Sequence, residues 1–146
     1  ALRAVRRATT RLALVSLTLR RTKRGFFTLM GDRAVDSLNG LLEAGAGAVG
    51  VNCTLSSQDM LALLREVGPQ VRGPLLVQPN AGDPLLAPDG RATYPEGPQV
   101  LAAFGVAAFE LGAQAVGGCC GTTPAHIRAL RELSSGHPSL DPGSAP

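Results

Sequence analysis

Tryptophan is absent from this sequence, and Phe and Tyr together make up only 3% of its 146 residues. Long apolar runs are also missing, since the longest, residues 12–19, is interrupted by Ser16 and Thr18. A helix that spans a bilayer needs about 20 apolar residues, so the sequence excludes a transmembrane segment and we expect no membrane partner. A disulfide framework is a poor fit as well, because the chain has three cysteines and no recognisable signal peptide.

Acidic residues are absent from the first 24 positions, which hold eight of the 14 basic residues. The other 122 residues contain six basic and eleven acidic side chains, a net charge of −5. The sequence pI of 9.2 therefore reflects the N-terminal segment, and we expect no nucleic-acid partner. An Arg-rich, acid-free start is also found in organellar transit peptides. Residues 12–19, however, have the pattern of a buried strand, and arginine is preferred over lysine throughout the chain.

The length of the chain limits the folds that it can contain. A hydrophobic fraction of 45% predicts one folded unit with a buried core. A complete eight-stranded β/α barrel typically needs about 250 residues, so this chain can hold only part of one. Residues 134–146 are rich in Ser, Pro and Gly and are expected to form a linker or a disordered tail. The predicted folded domain therefore covers residues 1–133.

An internal repeat is the most informative pattern. Residues 42–53 align without gaps on residues 109–120, with seven of twelve pairs identical and Cys53 matched to Cys120. Each copy reads as a helix end, a capping glycine, a short buried strand and a cysteine where the strand stops. Repeated helix-to-strand units predict an α/β architecture with parallel strands.

The remaining periodicities complete four βα units, half of the eight in a closed (β/α)8 TIM-type barrel. Strands are predicted over 12–19, 45–52, 74–78 and 113–117, and helices over about 32–43, 56 or 57 to 67, 99–111, and 122 or 123 to 133. A loop over 83–98, rich in Pro, Gly and Asp, is long enough to have a functional role.

Cysteine and asparagine side chains occur where the predicted strands end. Cys53, Asn80, Cys119 and Cys120 all follow strands, and right-handed crossovers bring the C-terminal ends of parallel strands to one face. Three thiolates suit Zn(II) in a tetrahedral shell, and three protein ligands leave one position open, as in catalytic zinc sites. The neighbouring glycines give the chain the freedom to direct two adjacent cysteines at one ion.

Other interpretations of these residues stay open at this point. Free cysteine is among the most often buried residue types, and Cys119 and Cys120 can form a strained vicinal disulfide. The Gly-rich turn before a Thr-capped helix can also bind a phosphate at the helix N-terminus, although this would leave the cysteines unexplained. Reversible oxidation of the adjacent pair would indicate a thiol-redox role.

Four short motifs occur in order along the chain: GVNC ending at Cys53, PNAGDP beginning at Pro79, YPE beginning at Tyr94 and GGCCGTTPAHI beginning at Gly117. Together they resemble the homocysteine-binding domain of the homocysteine S-methyltransferase family, which includes cobalamin-dependent methionine synthase and betaine-homocysteine methyltransferase. The resemblance extends over residues 12–133 in the family's order and roughly its spacing. The GGCCGT segment with its distant upstream NC is highly specific.

The resemblance implies that the chain is the C-terminal half, strands five to eight, of a zinc-dependent β/α barrel. By the same resemblance Cys53, Cys119 and Cys120 are the ligands of Zn(2+), and Asn80 contacts the amino-acid part of homocysteine. The implied reaction is methyl transfer to the homocysteine thiol, giving methionine. Coordination to zinc would deprotonate that thiol, which is a weak nucleophile at neutral pH. The implied methyl donor is methylcobalamin, S-methylmethionine, S-adenosylmethionine or betaine.

The family's N-terminal half, which helps to hold the amino group of the substrate, is not in this sequence. We therefore expect the missing N-terminal half-barrel as a partner, exposed strand edges, and no activity in the isolated chain. A second hypothesis is a non-catalytic zinc or thiol module, or a decayed barrel fragment that serves as an interaction surface. The expected location is cytoplasmic, because the thiolates must stay reduced.

Two further side chains within the motifs have simpler interpretations. His126, on the first turn of the last predicted helix, is expected to form local hydrogen bonds or packing contacts rather than to bind the metal. Tyr94, the only tyrosine of the chain, lies in the long loop, where it either covers the pocket or only packs.

Overall fold

Short helices and strands alternate along residues 1–134, which a computed structural model describes. The helices are α1 (Leu2–Ala8), α2 (Ala34–Glu43), α3 (Ser57–Val67), a short 3-10 helix (Gly68–Gln70), α4 (Pro98–Glu110) and α5 (Pro124–Ser134). The strands are β1 (Leu14–Leu17), β2 (Arg20–Thr22), β3 (Gly25–Phe27), β4 (Ala48–Asn52), β5 (Leu75–Gln78), β6 (Leu85–Leu86), β7 (Ala92–Thr93) and β8 (Ala115–Val116). The linker predicted over 134–146 lies outside the described residues, except that Ser134 is the last residue of α5.

Four strands form a parallel sheet in the order β1, β4, β5, β8. Val15 of β1 lies opposite Val49 of β4, and Val77 of β5 lies opposite both Val51 of β4 and Val116 of β8. Helices α2, α3 and α4 connect successive strands of this sheet, and α5 follows the last one. These four βα units confirm the predicted α/β fold class, with an architecture that corresponds to half of an eight-stranded barrel.

The repeat found in the sequence is also a repeat in the structure. Helices α2 and α4 both end at a left-handed glycine, Gly45 with φ +97° and Gly112 with φ +90°. The N–H of Ala46 donates to the carbonyl of Leu41, and the N–H of Ala113 donates to the carbonyl of Ala108, each at 3.0 Å. This is the hydrogen bond of a Schellman motif, which satisfies carbonyls at a helix end and turns the chain into the following strand.

The hydrophobic core lies against the two central strands. Val49 and Val51 of β4, Val77 of β5, and Leu63 and Leu64 of α3 are all at most 1% exposed. Residues of α2 and α4 belong to the same cluster. β4 and β5 have strand neighbours on both sides and helices packed against them, which explains why their sequences are almost continuously apolar.

Strand β1 is shorter and more exposed than the buried strand predicted over 12–19. It covers Leu14–Leu17, its residues alternate between exposed and half-buried, and Leu14 is 61% exposed. The physical reason is its place at the edge of the sheet: within residues 1–134, β1 pairs only with β4. An apolar sequence therefore identified the strand but overstated its burial.

The sequence patterns do not predict six of the elements. These are helix α1, the 3-10 helix Gly68–Gln70, strands β2 and β3, which form an antiparallel hairpin, and strands β6 and β7, which form a small antiparallel hairpin inside the long loop. All are short, and a short element gives a weak periodic signal. Across residues 1–134, no helix combines the length and the apolar content that crossing a bilayer requires.

β4 and β5 approach each other closely at Gly50. A Cβ added there would lie 2.8 Å from the carbonyl oxygen of Leu76. We therefore expect Gly50→Ala to push the strands apart and to lower the free energy of unfolding by about 1–3 kcal/mol. Gly40 provides a matched control, because it lies within α2 and an added Cβ meets no atom within 4 Å. Gly40→Ala is expected to raise the free energy of unfolding by about 0.5–1 kcal/mol.

Urea unfolding followed by circular dichroism measures both changes in the same assay. Opposite signs for the two glycine substitutions are the expected result. Equal stability of the two variants would contradict the close approach of the two strands at Gly50.

Candidate metal centre

The three cysteines come together at the C-terminal ends of β4 and β8. Cys53 directly follows β4, and Cys119 and Cys120 follow β8 after a two-glycine turn. Their sulfur atoms all lie within 4.8 Å of one another, and the sulfurs of Cys53 and Cys120 are 3.6 Å apart. All three are free and half-buried. The structure therefore contains a cluster of accessible thiols, with no vicinal disulfide and no fully buried cysteine.

A left-handed backbone turn places Cys53 at this end of β4. Cys53 and Thr54 have φ values of +63° and +55°, a region that few residues other than glycine adopt. The Cys53 N–H donates to the carbonyl of Gln78 at 3.0 Å, and the Thr54 hydroxyl donates to the carbonyl of Leu19 at 2.5 Å. Because each left-handed residue costs about 1–3 kcal/mol, these contacts must hold the turn in place.

The segment after β5 holds the turn that carries the other two cysteines. The N–H of Cys119 donates to the carbonyl of Pro79 at 2.7 Å, and the N–H of Ala81 donates to the carbonyl of Cys120 at 2.9 Å. Gly121 has φ +81°, which lets the chain turn towards α5 without the clash that a side chain would cause. Residues 79–81 thus fix the position of the cysteine pair.

Asn80, predicted to contact substrate, is buried next to the cluster and has a structural contact. Only 6% of the residue is exposed. Its side-chain Oδ1 accepts a hydrogen bond from the N–H of Cys120 at 3.2 Å, while its own N–H donates to the carbonyl of Leu55 at 2.9 Å. Asn80 therefore links the two cysteine-bearing turns, and its predicted contact with homocysteine stays a prediction.

The cluster suits zinc in both its chemistry and its spacing. Thiolates are preferred zinc ligands, and sulfurs arranged tetrahedrally at a Zn–S distance of about 2.3 Å lie about 3.8 Å apart. The 3.6 Å between Cys53 and Cys120 is close to this value, and Cys119 lies within 4.8 Å of both. In residues 1–134 no His, Asp or Glu belongs to this cluster. A metal held by these residues would therefore keep one tetrahedral position for another ligand.

His126 has the local role that the sequence predicts. Its Nδ1 accepts from the N–H of Thr123 at 3.2 Å and lies 2.8 Å from the Thr123 hydroxyl, while Nε2 lies 2.9 Å from the carbonyl oxygen of Glu96. Because Nδ1 accepts the N–H of Thr123, Nε2 is the ring nitrogen that can donate to the carbonyl of Glu96. This contact also occupies the N–H of Thr123 at the start of α5, which weakens the phosphate-binding interpretation of this turn.

Residues 94–96, which we call the strap, lie at the end of the long loop, where Tyr94 packs against Gly121, the residue after Cys120. The N–H of Glu96 donates to the carbonyl of Ala81 at 2.9 Å. The hydroxyl of Ser57, at the start of α3, donates to Oε2 of Glu96 at 2.5 Å. Together with His126, these bonds tie the strap to three parts of the structure.

Tyr94 is the residue of the strap that meets the cysteines. Its half-buried ring packs so close to Gly121 that an added Cβ would overlap with it. The pKa of the Tyr94 phenol is raised above its usual value of 10.0, chiefly because the group loses contact with water. A hydrogen bond with the Cys120 side chain and the negative charges of the three cysteines act in the same direction. The phenol is therefore neutral at physiological pH.

Sequence reasoning considered roles for Tyr94 and His126, but it gave Glu96 only as part of the YPE motif and did not predict its contact with Ser57. One signal for His126 was available: Thr123 and His126 have the spacing of a capping box, with histidine in place of the usual Glu or Gln. The bond between Ser57 and Glu96 joins residues 39 positions apart. No local pattern reveals such a contact.

Comparison with known proteins agrees with this arrangement. Residues 1–134 match the family model of homocysteine S-methyltransferase. The chain is 42% identical over 104 residues to methionine synthase of Mycobacterium tuberculosis. This alignment covers 70% of this chain and 9% of that protein. It is 35% identical over 121 residues to betaine–homocysteine S-methyltransferase 1 of Xenopus tropicalis. That alignment covers 71% of this chain and 30% of the relative.

The fold also has a counterpart among solved structures. The homocysteine methyltransferase MmuM from Escherichia coli, in its apo form, superposes with a TM-score of 0.67 and 27% identity, over 91% of this chain and 44% of that one. This chain thus spans less than half the length of each of these three proteins. The family match over residues 1–134 confirms the resemblance carried by the motifs. The chain belongs to the homocysteine S-methyltransferase family.

Proposed function

We propose that this chain is the zinc-binding half of an enzyme that transfers a methyl group to the thiol of homocysteine and so forms methionine. The observation that carries the proposal is the cluster of three cysteine sulfurs within 4.8 Å in a chain of this family. Structural zinc sites usually have four protein ligands, whereas catalytic sites have three and a position for substrate. A cluster of three cysteines therefore fits a catalytic zinc site.

Cys53, Cys119 and Cys120 are the residues that would hold the metal. Zinc bound there would supply a Lewis acid that deprotonates the homocysteine thiol, a group with a pKa of about 8.5 when free. The residues of this chain contribute by holding the three sulfur atoms in place. The left-handed turn at Cys53 and the contacts from residues 79–81 direct three sulfurs at one point.

Asn80 is proposed to bind the amino-acid part of homocysteine. Its Oδ1 is already engaged by the N–H of Cys120, so its Nδ2 group is the one that can donate to a substrate carboxylate. Asn80 would in this way set the distance between the bound carboxylate and the cysteine cluster.

The remaining half-barrel is proposed to complete the enzyme. β1 and β8 form the two edges of the described sheet, and a closed barrel pairs both edges with further strands. The methyl-donor site is proposed to depend largely on segments or domains outside this chain, and we therefore propose that the isolated chain is inactive. A cytoplasmic location fits a site built from reduced thiols.

Zinc content and zinc-edge X-ray absorption of the reduced 146-residue chain test this function. We expect about one zinc per chain with three sulfur neighbours, and a fourth sulfur at about 2.3 Å when homocysteine is added. Homoserine, which has a hydroxyl in place of the thiol, is the matched control and should add no sulfur. Zinc that is unchanged by homocysteine would instead support a non-catalytic zinc module. A folded chain that binds no zinc would overturn the proposal.

A further inference from the structure

Three polar residues share one face of the parallel sheet, at the end that carries the cysteines. Asn52 is the last residue of β4 and Gln78 the last residue of β5, and the two lie opposite each other. Ser16 of β1 belongs to the same face, because it lies opposite Gly50, two residues before Asn52. Asn52 directly precedes Cys53. These three residues, which we call the polar row, therefore border the turn that carries the first cysteine.

The polar row differs from the rest of its face. The other residues of this face, placed there by the strand register, are Leu14, Ala48, Gly50, Leu76 and Ala115. The opposite face packs against the helices, so the face with the polar row becomes the interior when a barrel closes. Polar groups that leave water need hydrogen-bond partners, and leaving one unsatisfied costs about 1–3 kcal/mol. The polar row therefore needs a polar ligand in the complete barrel.

The structure holds both carboxamides of the polar row in defined places. The hydroxyl of Ser16 donates to Oδ1 of Asn52 at 2.6 Å, which turns this side chain towards β1. Gln78 lies against Gly117, where an added Cβ would be 3.3 Å from its Nε2 atom. The absence of a side chain at Gly117 thus leaves room for the Gln78 amide next to β8.

The hydrogen bond between Ser16 and Asn52 determines what the polar row can bind. Ser16 gives its one hydroxyl proton to Asn52, so its oxygen can only accept from a ligand. Oδ1 of Asn52 keeps a second lone pair, and Oε1 of Gln78 is a further acceptor. Acceptor oxygens grouped in this way suit a ligand group with several N–H donors. An ammonium group has three.

We propose that Ser16, Asn52 and Gln78 bind the ammonium group of homocysteine while its sulfur is held at the cysteine cluster. The inference rests on the proposed function, which supplies the substrate. It leaves Nδ2 of Asn80 for the carboxylate, so the two charged groups of the amino acid contact different residues. The polar row then selects homocysteine over thiols that lack an amino group.

Asn52→Leu and Gln78→Leu test the inference in the zinc-loaded chain. Each variant is titrated with homocysteine and with 4-mercaptobutanoate, which is homocysteine without its amino group. We expect the unchanged chain to prefer homocysteine and each variant to lose about 10-fold of that preference, the effect of one hydrogen bond to a charged group. The affinity for 4-mercaptobutanoate should stay the same. Gln70→Leu is the matched control, because Gln70 is exposed and precedes β5 at the other end of the sheet.

An equal loss of affinity for both thiols would overturn the inference, since the polar row would then serve only the fold. Variants that bind both thiols like the unchanged chain would overturn it as well, and would indicate that the row contacts the other half-barrel instead. The same conclusion applies if the unchanged chain has no preference for homocysteine.

A second measurement does not depend on the metal. Methionine has the same ammonium and carboxylate groups as homocysteine. In the metal-free chain we expect methionine to shift the side-chain amide NMR signals of Asn52 and Gln78 in a saturable way, and 4-(methylthio)butanoate to leave them in place. Signals that do not respond to methionine would overturn the inference. If homocysteine adds no sulfur to the zinc, the proposed function fails, while these amide signals still decide the role of the polar row.

Discussion

Replacing any one of the three cysteines with serine is expected to lower the affinity for zinc at least about 100-fold. Serine is nearly the size of cysteine, so the fold should persist, but its hydroxyl stays protonated and is a poor zinc ligand. The loss should be similar for Cys53→Ser, Cys119→Ser and Cys120→Ser, because all three sulfurs lie within 4.8 Å of one another. Competition with a chromophoric chelator measures the affinity of each variant.

His126→Gln is the matched control for the cysteine variants. His126 is buried near the cluster and histidine is a common zinc ligand, yet both of its ring nitrogens are engaged by Thr123 and Glu96. We therefore expect this variant to keep its zinc, and circular dichroism is used to check that it is folded. Zinc loss as large as in the cysteine variants would show that His126 is a ligand. Retention of zinc by Cys53→Ser would remove Cys53 from the site.

Asn80→Asp is expected to weaken homocysteine binding by about 10- to 100-fold while zinc binding persists. The aspartate keeps an oxygen that accepts from the N–H of Cys120, the bond that Oδ1 of Asn80 makes in the structure. It lacks the Nδ2 donor, and its negative charge repels the carboxylate of the substrate. Isothermal titration of homocysteine into the zinc-loaded chain measures the effect.

Asn80→Leu separates the two roles of this residue. Leucine provides no acceptor, so the N–H of Cys120 loses its partner, and we expect the free energy of unfolding to fall by about 1–3 kcal/mol. Zinc affinity should fall as well, because the turn that carries Cys120 is no longer held. If Asn80→Asp binds homocysteine as well as the unchanged chain does, Asn80 serves only to hold the turn.

The sequence predicts the central part of the fold well because two independent patterns coincide there. Continuous apolar runs locate β4 and β5, and the left-handed glycines Gly45 and Gly112 mark the helix ends before β4 and β8. The strands lie inside the predicted ranges and the helices begin or end within about two residues of them. Parallel pairing then brings the strand ends together, and the sulfur cluster follows from cysteines that come directly after β4 and two glycines after β8.

The contacts that surround the cysteines could not be predicted in the same way. The left-handed turn at Cys53 and Thr54 contradicts local preference and is held by bonds to distant carbonyls, such as that of Leu19. The clamp at Glu96 joins segments from α3, α5 and the end of β5, each remote in sequence. The exposure of β1 could not be predicted for a different reason. The hydrophobicity of a strand shows that its side chains can be buried, but it does not show whether a neighbouring strand is present to bury them.

The cysteines belong to strands that are not neighbours, since β5 lies between β4 and β8 in the sheet. A metal bound by Cys53 and Cys120 would therefore act as a cross-link between positions 67 residues apart. Closing a loop of that size in the unfolded chain would cost about 4 kcal/mol of entropy at 25 °C on the scale used for disulfides, so the metal would bind the folded chain in preference to the unfolded one. Metal supply would then set the folded fraction of this half-barrel by mass action. In a cell, the metal proposed for this site would then also influence how long the protein survives proteolysis.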